Sequence, residues 1–489
     1  MEVLPACVSG SEKRNGPLPV GSGLVHNKNK RKTMNIPFRS SLPLAALLML
    51  VAQGSWAKID EAEAQKLGKE LTCFGAEQAA NADGSIPAFS GQWLGTPPGV
   101  KFAGVGARHP DPYAAEQPLF TITAQNMAQY EQRLSDGQKA LLRKYPQTFA
   151  IPVYPSHRDF RLDDVRCEIT RKNALTAELE DGNLGVKALK GGTPFPIPKT
   201  GDELLRNMLL PAYVLEEDAV YDQAVVYPDG KAAWGQMYYE IIDKTGGPED
   251  LGQPTTGIFA YSRATVLKPQ RQKGEASMTY TYFNELTNPQ TSWQYNPGAR
   301  RVRQSPGFGF DMPLGVGGFR TIDDDRLFNG SPERYDWKLV GKRELLIPYN
   351  GYRLEGADVK YAELLKAGSI DPRFMRYEPH RVWVLEATLK EGYRHRYAKR
   401  VLYIEEDSWQ AVMADNYDAR GQLWRTNFMN TFYAYDARVF HAGVTVYHDL
   451  MSGAYLADRL TNEGETPKLN GDRLKPFMYT TDMLRQAGR

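Results

Sequence analysis

The sequence predicts an α+β protein built on a large antiparallel sheet, with most helices gathered early in the chain. Three observations predict it. Asp229-Gly230, Pro297-Gly298 and the loop Tyr417 to Gly421 each sit between two apolar-aromatic runs, the chemistry of tight hairpins. The chain holds 27 Tyr, 19 Phe and 8 Trp in 489 residues, a content that favours sheets over helical bundles. No strand alternates with a long helix, as a parallel doubly wound sheet would require.

The first element is an address. Residues 42–51 are continuously apolar, Arg39 precedes them and Gly54-Ser55-Trp56-Ala57 follows with small residues, which predicts a signal peptide cleaved after Ala57. Met34 opens a well-proportioned leader, so residues 1–33 read as an upstream extension. Two cysteines remain beyond the leader, Cys73 and Cys167; an oxidising compartment favours one disulfide between them over two unpaired buried thiols.

Residues 58–217 form an N-terminal helical and loop-rich wrapping region. Ile59, Ala62, Ala64, Leu67 and Leu71 recur at helical spacing within 58–80, and turn formers fill 81–118. Thr123 caps a helix through Leu134, Ser135 with Gln138 forms a capping box for a helix to Lys144, and a further helix runs from Gly201 to Leu210. Residues 218–489 form the sheet region, packed with 58–217 as one unit. Its period-2 stretches are 224–234, 279–283, 293–302, 381–389, 397–404, 413–424 and 442–447, with inserted helices at 357–366 and 481–486. These elements alone fit a sandwich, a closed barrel or a curved open sheet. Strands of irregular length argue against an outer-membrane barrel.

Charge and composition exclude several functions. Sixty Lys+Arg against 58 Asp+Glu give a net charge of +2, far from the basic excess that nucleic acid binding needs. A mean hydropathy of −0.51 with a single apolar run excludes a polytopic helical membrane protein. No nucleophile elbow, phosphate loop, His-Glu-x-x-His or Cys-x-x-Cys occurs. The histidines are scattered, and His441 and His448 fall on opposite faces of a strand. The acidic groups 216–218, 323–325 and 405–407 read as solvated turns. No metal or cofactor is expected, and no catalytic residue.

The aromatic pairs carry the strongest signal. Tyr280 and Tyr282, Trp293 and Tyr295, Phe308 and Phe310, and Trp383 with Leu385 stand two residues apart, so each pair shares a face of its strand. Such a strip lines a cavity for a hydrophobic ligand or packs a sheet on its helices. Arg301 and Arg303, then Arg394, Arg396 and Arg400, form basic clusters suited to an anionic headgroup or a docking surface, or to an edge kept soluble by charge. Glu386 in an apolar run suits a lipid-directed hydrolase, or a cross-strand ion pair.

Tyr295-Asn-Pro-Gly-Ala-Arg-Arg-Val-Arg-Gln-Ser-Pro306, Arg381-Val-Trp-Val-Leu-Glu-Ala-Thr388 and Lys399-Arg-Val-Leu-Tyr-Ile404, in this order, resemble the sheet of LolA/LolB-like carriers. With Asn81 to Pro87, Pro118 to Asn126 and Gly192 to Pro198, nearly the whole chain after the leader resembles a large proteobacterial domain-of-unknown-function family whose members are named outer-membrane lipoprotein-sorting proteins. The resemblance implies a half-open barrel closed by helices, with a concave apolar face that holds lipid. It implies a soluble, monomeric periplasmic carrier of a lipid or other hydrophobic molecule, working with an outer-membrane protein and a resistance-nodulation-division (RND) type exporter. A structural adaptor between those partners is the alternative.

Overall fold

The computed structural model describes residues 59–305 and 310–488; the leader, with its start at Met34 and cleavage after Ala57, and Phe308 lie outside the described residues. Sixteen strands make one sheet. Two short ones come early, β1 (Phe120–Ile122) and β2 (Ile151–Val153). A first meander follows: β3 (Glu216–Val226), β4 (Ala232–Asp243), β5 (Ile258–Lys268), β6 (Ala276–Tyr282), β7 (Thr291–Asn296) and β8 (Arg301–Ser305). A second meander comprises β9 (Tyr335–Pro348), β10 (Tyr377–Leu389), β11 (Lys399–Glu405), β12 (Ala411–Tyr417), β13 (Leu423–Ala434), β14 (Val439–Asp449) and β15 (Tyr455–Leu460). The short β16 (Lys468–Leu469) adds to β3.

The two meanders join where β15 pairs antiparallel with β3, Tyr455 opposite Val226. The spatial order is thus β9 through β15, then β3 through β8, and the ends do not meet. The sheet is a half-open barrel. Strands β8 and β9 follow one another in sequence yet lie at opposite ends of it. The chain between them must cross one face, and residues 310–334 do so as a strap, packing on β3 and β4 and then on β12 and β13.

Both faces of the second meander are covered, which explains its nearly continuous burial. On one face Val382, Val384, Val444 and Val446 pack against Leu141 and Leu142 of α1 (Asp136–Lys144) and against residues 349–375. On the other, Leu385, Leu402 and Met429 pack against Leu204 and Leu205 of α3 (Gly201–Leu209) and against Leu327 and Phe328 of the strap. The first meander carries the strap on this second face, while a terminal helix, α4 (Thr481–Ala487), covers its outer face through Leu484.

The capping signals are realised. Ser135 Oγ accepts from Gln138 N at 3.1 Å and Gln138 Oε1 accepts from Ser135 N at 2.9 Å, so the box starts α1 at its own donors. Thr200 and Glu203 do the same for α3. Elsewhere the helical reading fails for identifiable reasons. Within 58–80 only Glu61–Ala64 is helical: Gly68 at φ +82° and Gly75 at φ +97° turn the chain out of any longer helix, and at Gly75 a Cβ would lie 1.8 Å from the Pro196 carbonyl oxygen. The Thr123 segment is a 3₁₀ stretch, Met127–Arg133, and the inserted helix shrinks to Tyr361–Leu364. A 13-residue helix, α2 (Asp164–Thr176), has no apolar periodicity to read. Its buried positions include Arg166, Thr170 and Asn173, satisfied by the carbonyls of Gly246, Arg166 and Leu189. Cys167 of α2 is disulfide-bonded to Cys73, as expected, and ties the N-terminal segment to the body.

Candidate functional site

On the strap side of the first meander lies a cavity of about 290 Å³. It exists because the sheet presents small side chains there. The floor is Met237, Tyr239 and Ile241 of β4 beside Ala260, Ser262 and Ala264 of β5, and β6 adds Ser277, Thr279 and Thr281. Bulk comes from the β4 side of the floor and from the walls: Leu209 and Tyr213 at the end of α3, and Leu314, Ile322 and Phe328 of the strap. Near one end the register of β5 against β6 slips between Ile258 and Ala260. The extra residue Phe259, with Tyr282 and Phe283, thereby reaches the cavity.

The other end is charged. Arg320, Arg326 and Arg459 line it with Asp325 and Asp458, and Glu217 lies behind. Arg459 Nη1 meets Glu217 Oε1 at 2.8 Å, Arg326 approaches Glu217 Oε2 at 3.7 Å and covers the Tyr213 ring at 4.1 Å, and Arg320 Nε is 3.2 Å from Asp458 Oδ2. Burial alone would raise Glu217, but Arg459 beside it holds its carboxyl below the usual range. Burial pushes Asp243 up to about 6 in spite of its bonds from Thr245. Arg326 (φ 48°) and Arg459 (φ 62°) both occupy the left-handed region, a strain of order 1 kcal/mol each of the kind that collects at binding sites.

The residues expected to line a cavity divide sharply. Of the seven that are described, Tyr282 does so. Tyr280, Trp293 and Tyr295 face the opposite side of the same strands, where they pack beneath α4 with Tyr479 and Leu484. Phe310 lies under the Arg334 guanidinium at 4.8 Å. Trp383 is sandwiched between Lys342 and Trp409, and Leu385 is fully buried against α3. The parity of the strands had two solutions, and the aromatics took the face the terminal helix covers. The signal for the other face was the run of small residues at alternate positions, Ala260-x-Ser262-x-Ala264 and Ser277-x-Thr279-x-Thr281.

The arginines separate as well. Arg301 and Arg303 are exposed on the edge strand β8. Arg394 and Arg396 are exposed in a loop, because β11 begins only at Lys399. Arg400 does not share their face: it is fully buried, with Nη2 2.7 Å from Asp323 Oδ2 and Nη1 3.4 Å from Asp324 Oδ1. The acidic groups read as solvated turns are interior for the same reason. Glu217 pairs with Arg459, Asp323 and Asp324 with Arg400, and Glu406 and Asp407 with Arg158, partners far away in sequence. Glu386 is an ordinary cross-strand partner, 2.7 Å from Lys399 and outside the cavity lining. His441 and His448 are buried on β14, and burial pushes both down to about 3, so they are neutral.

One group has the composition of a metal centre: His380, Glu405 and Asp407 offer donor atoms within 4.8 Å of one another. Its donors are engaged. Asp407 binds Arg158 through both carboxylate oxygens, Glu405 accepts from the Asp407 and Ser408 amides, and His380 lies between Glu378 at 3.2 Å and Glu405 at 3.5 Å. Burial would lower His380, but hydrogen bonds to the two glutamates push it up to about 9. In the unfolded chain a histidine gives up its proton near 6.5. The interaction therefore contributes fully below about pH 6.5 and is lost as pH rises to about 9, on the order of 3 kcal/mol. Urea unfolding of the wild type and His380→Gln at pH 6 and pH 9 checks this: the gap between them should close at the higher pH, and a constant gap would contradict it.

Sheet, strap and helix α3 together define an open-sheet protein with one apolar-walled, arginine-ended cavity on its strap face. The chain belongs to the DUF1329 family, described as proteins of unknown function, whose model matches residues 121–485. It is similar to the uncharacterized protein PA3922 of Pseudomonas aeruginosa, 39% identical over 444 residues that cover 90% of this chain and 96% of that one. Among solved structures it is similar to a DUF1329 family protein from Desulfovibrio piger (15% identity, 58% of this chain and 96% of that chain, TM-score 0.40). It is also similar to a putative outer membrane lipoprotein-sorting protein domain from Vibrio parahaemolyticus (13%, 55% and 91%, 0.38). A LolA superfamily protein from Nitrosomonas europaea matches with 14% identity, 58% and 99% coverage and a TM-score of 0.36.

Proposed function

We propose that this protein is a periplasmic carrier that holds a hydrophobic ligand in the strap-side cavity. The observation that supports the reading most directly is the cavity itself. A sheet whose β5 and β6 floor it with alanine, serine and threonine, under walls of leucine, isoleucine and phenylalanine, leaves room in a place where close packing is the rule. Among the described residues no helix is long and apolar enough to cross a membrane. Transfer between inner and outer membranes, with an RND-type exporter and an outer-membrane protein as partners, is the transport step this reading implies.

Native mass spectrometry with lipid extraction, on protein purified from the periplasm without detergent, tests it. A stoichiometric hydrophobic molecule is expected. Ala264→Phe places a ring in the centre of the floor, between Tyr239 and Ser277 on the neighbouring strands, and should abolish that co-purification while the protein still folds. A clean apo mass, unchanged after exposure to total membrane extract, would sink the carrier reading.

A further inference from the structure

We propose that the cavity takes a single-chain amphiphile with an anionic oxygen head, a carboxylate or a phosphate, and that the head docks on Arg320. This rests on the carrier reading above and specifies its ligand.

The argument begins with unused donors. Arg320 is 7% exposed and lines the cavity, yet its Nε and Nη1 donate no hydrogen bond. Asp458 is close to Nε but not aligned with it, and Asp325 is 3.8 Å from Nη2. Arg206, 4% exposed on another part of the wall, also leaves its Nε unbonded and holds a backbone carbonyl, that of Asn183, through Nη2. Buried guanidinium donors left unmade are costly, and neighbouring protein groups normally satisfy them. Two on Arg320 alone point to an acceptor that arrives with the ligand. Size narrows the choice. About 290 Å³ is at the lower bound of ligand pockets, which fits one chain rather than a two- or three-chain lipid. The chain would lie over Met237 and Ile241, toward Phe259.

The test is displacement of the neutral fluorophore N-phenyl-1-naphthylamine from the whole protein by palmitate, hexadecyl phosphate and hexadecanol. Charge-assisted hydrogen bonds predict that at least one anion displaces the probe about tenfold or more better than the alcohol. Whichever anion wins names the head. Arg320→Met should erase that preference, whereas Arg206→Met should preserve it. Equal displacement by all three compounds on the wild type overturns the headgroup assignment, whether or not the variants fold, and leaves the carrier reading standing. Loss of the preference in Arg206→Met alone overturns the placement on Arg320. A protein that binds neither probe nor amphiphile defeats the carrier reading itself.

Discussion

Arg400→Met will lower the unfolding free energy by about 3–5 kcal/mol, the cost of leaving a buried charge without its partner. Arg400 is 0% exposed, and two strap carboxylates depend on it, Asp323 at 2.7 Å and Asp324 at 3.4 Å. Its guanidinium also lies over the Tyr397 and Phe328 rings, at 4.7 and 5.2 Å. Burial would raise Asp323, and Arg400 with His395 holds it low instead; without the arginine that carboxyl keeps His395 and the Thr321 hydroxyl. Urea titration measures the effect as a shift of midpoint at constant slope. Adding Asp323→Asn and Asp324→Asn to the arginine variant should recover part of the loss, since the stranded charges go with it. A loss below about 1 kcal/mol would show that β11 does not anchor the strap. Because the strap walls the cavity, the same variant should also release ligand faster.

The second large effect belongs to the disulfide. Cys73 and Cys167 are 94 residues apart, and closing a loop of that length contributes about 4–5 kcal/mol in the chain-entropy account. The double variant Cys73→Ser, Cys167→Ser should unfold at correspondingly lower urea, and the wild type in reductant should fall to the same midpoint. Reductant should leave the variant unmoved. Equal midpoints for oxidised wild type and variant would remove the bond from any role in stability.

What the sequence made legible is local. The three hairpins formed because each turn carries a glycine or an Asp-Gly or Pro-Gly pair that fixes the reversal within a few residues, and the Ser135 and Thr200 caps are equally self-contained. What stayed hidden depends on partners distant in the chain. Helix α2 buries arginine, threonine and asparagine against carbonyls up to 80 residues away, so it shows no apolar stripe. Arg400 is charged and was read as surface, yet its carboxylates come from the strap. The strongest aromatic signal located a packed face correctly as a face but not as the cavity, because alternation fixes which residues share a side and not which side is empty. Arg320 and Arg459 carry no local mark at all; only the strap's crossing and the β15–β3 pairing bring them together.

That pairing has a temporal consequence. A chain made from its N-terminus presents β3 early and β15 near the end, so Val226 waits for Tyr455 while the whole second meander emerges. Contacts of such long range form late, after the local hairpins. The seam that brings Arg459 beside the floor of β4 therefore closes only when the chain is nearly complete. On the carrier reading proposed above, ligand is therefore taken up by the finished protein and not by the growing chain.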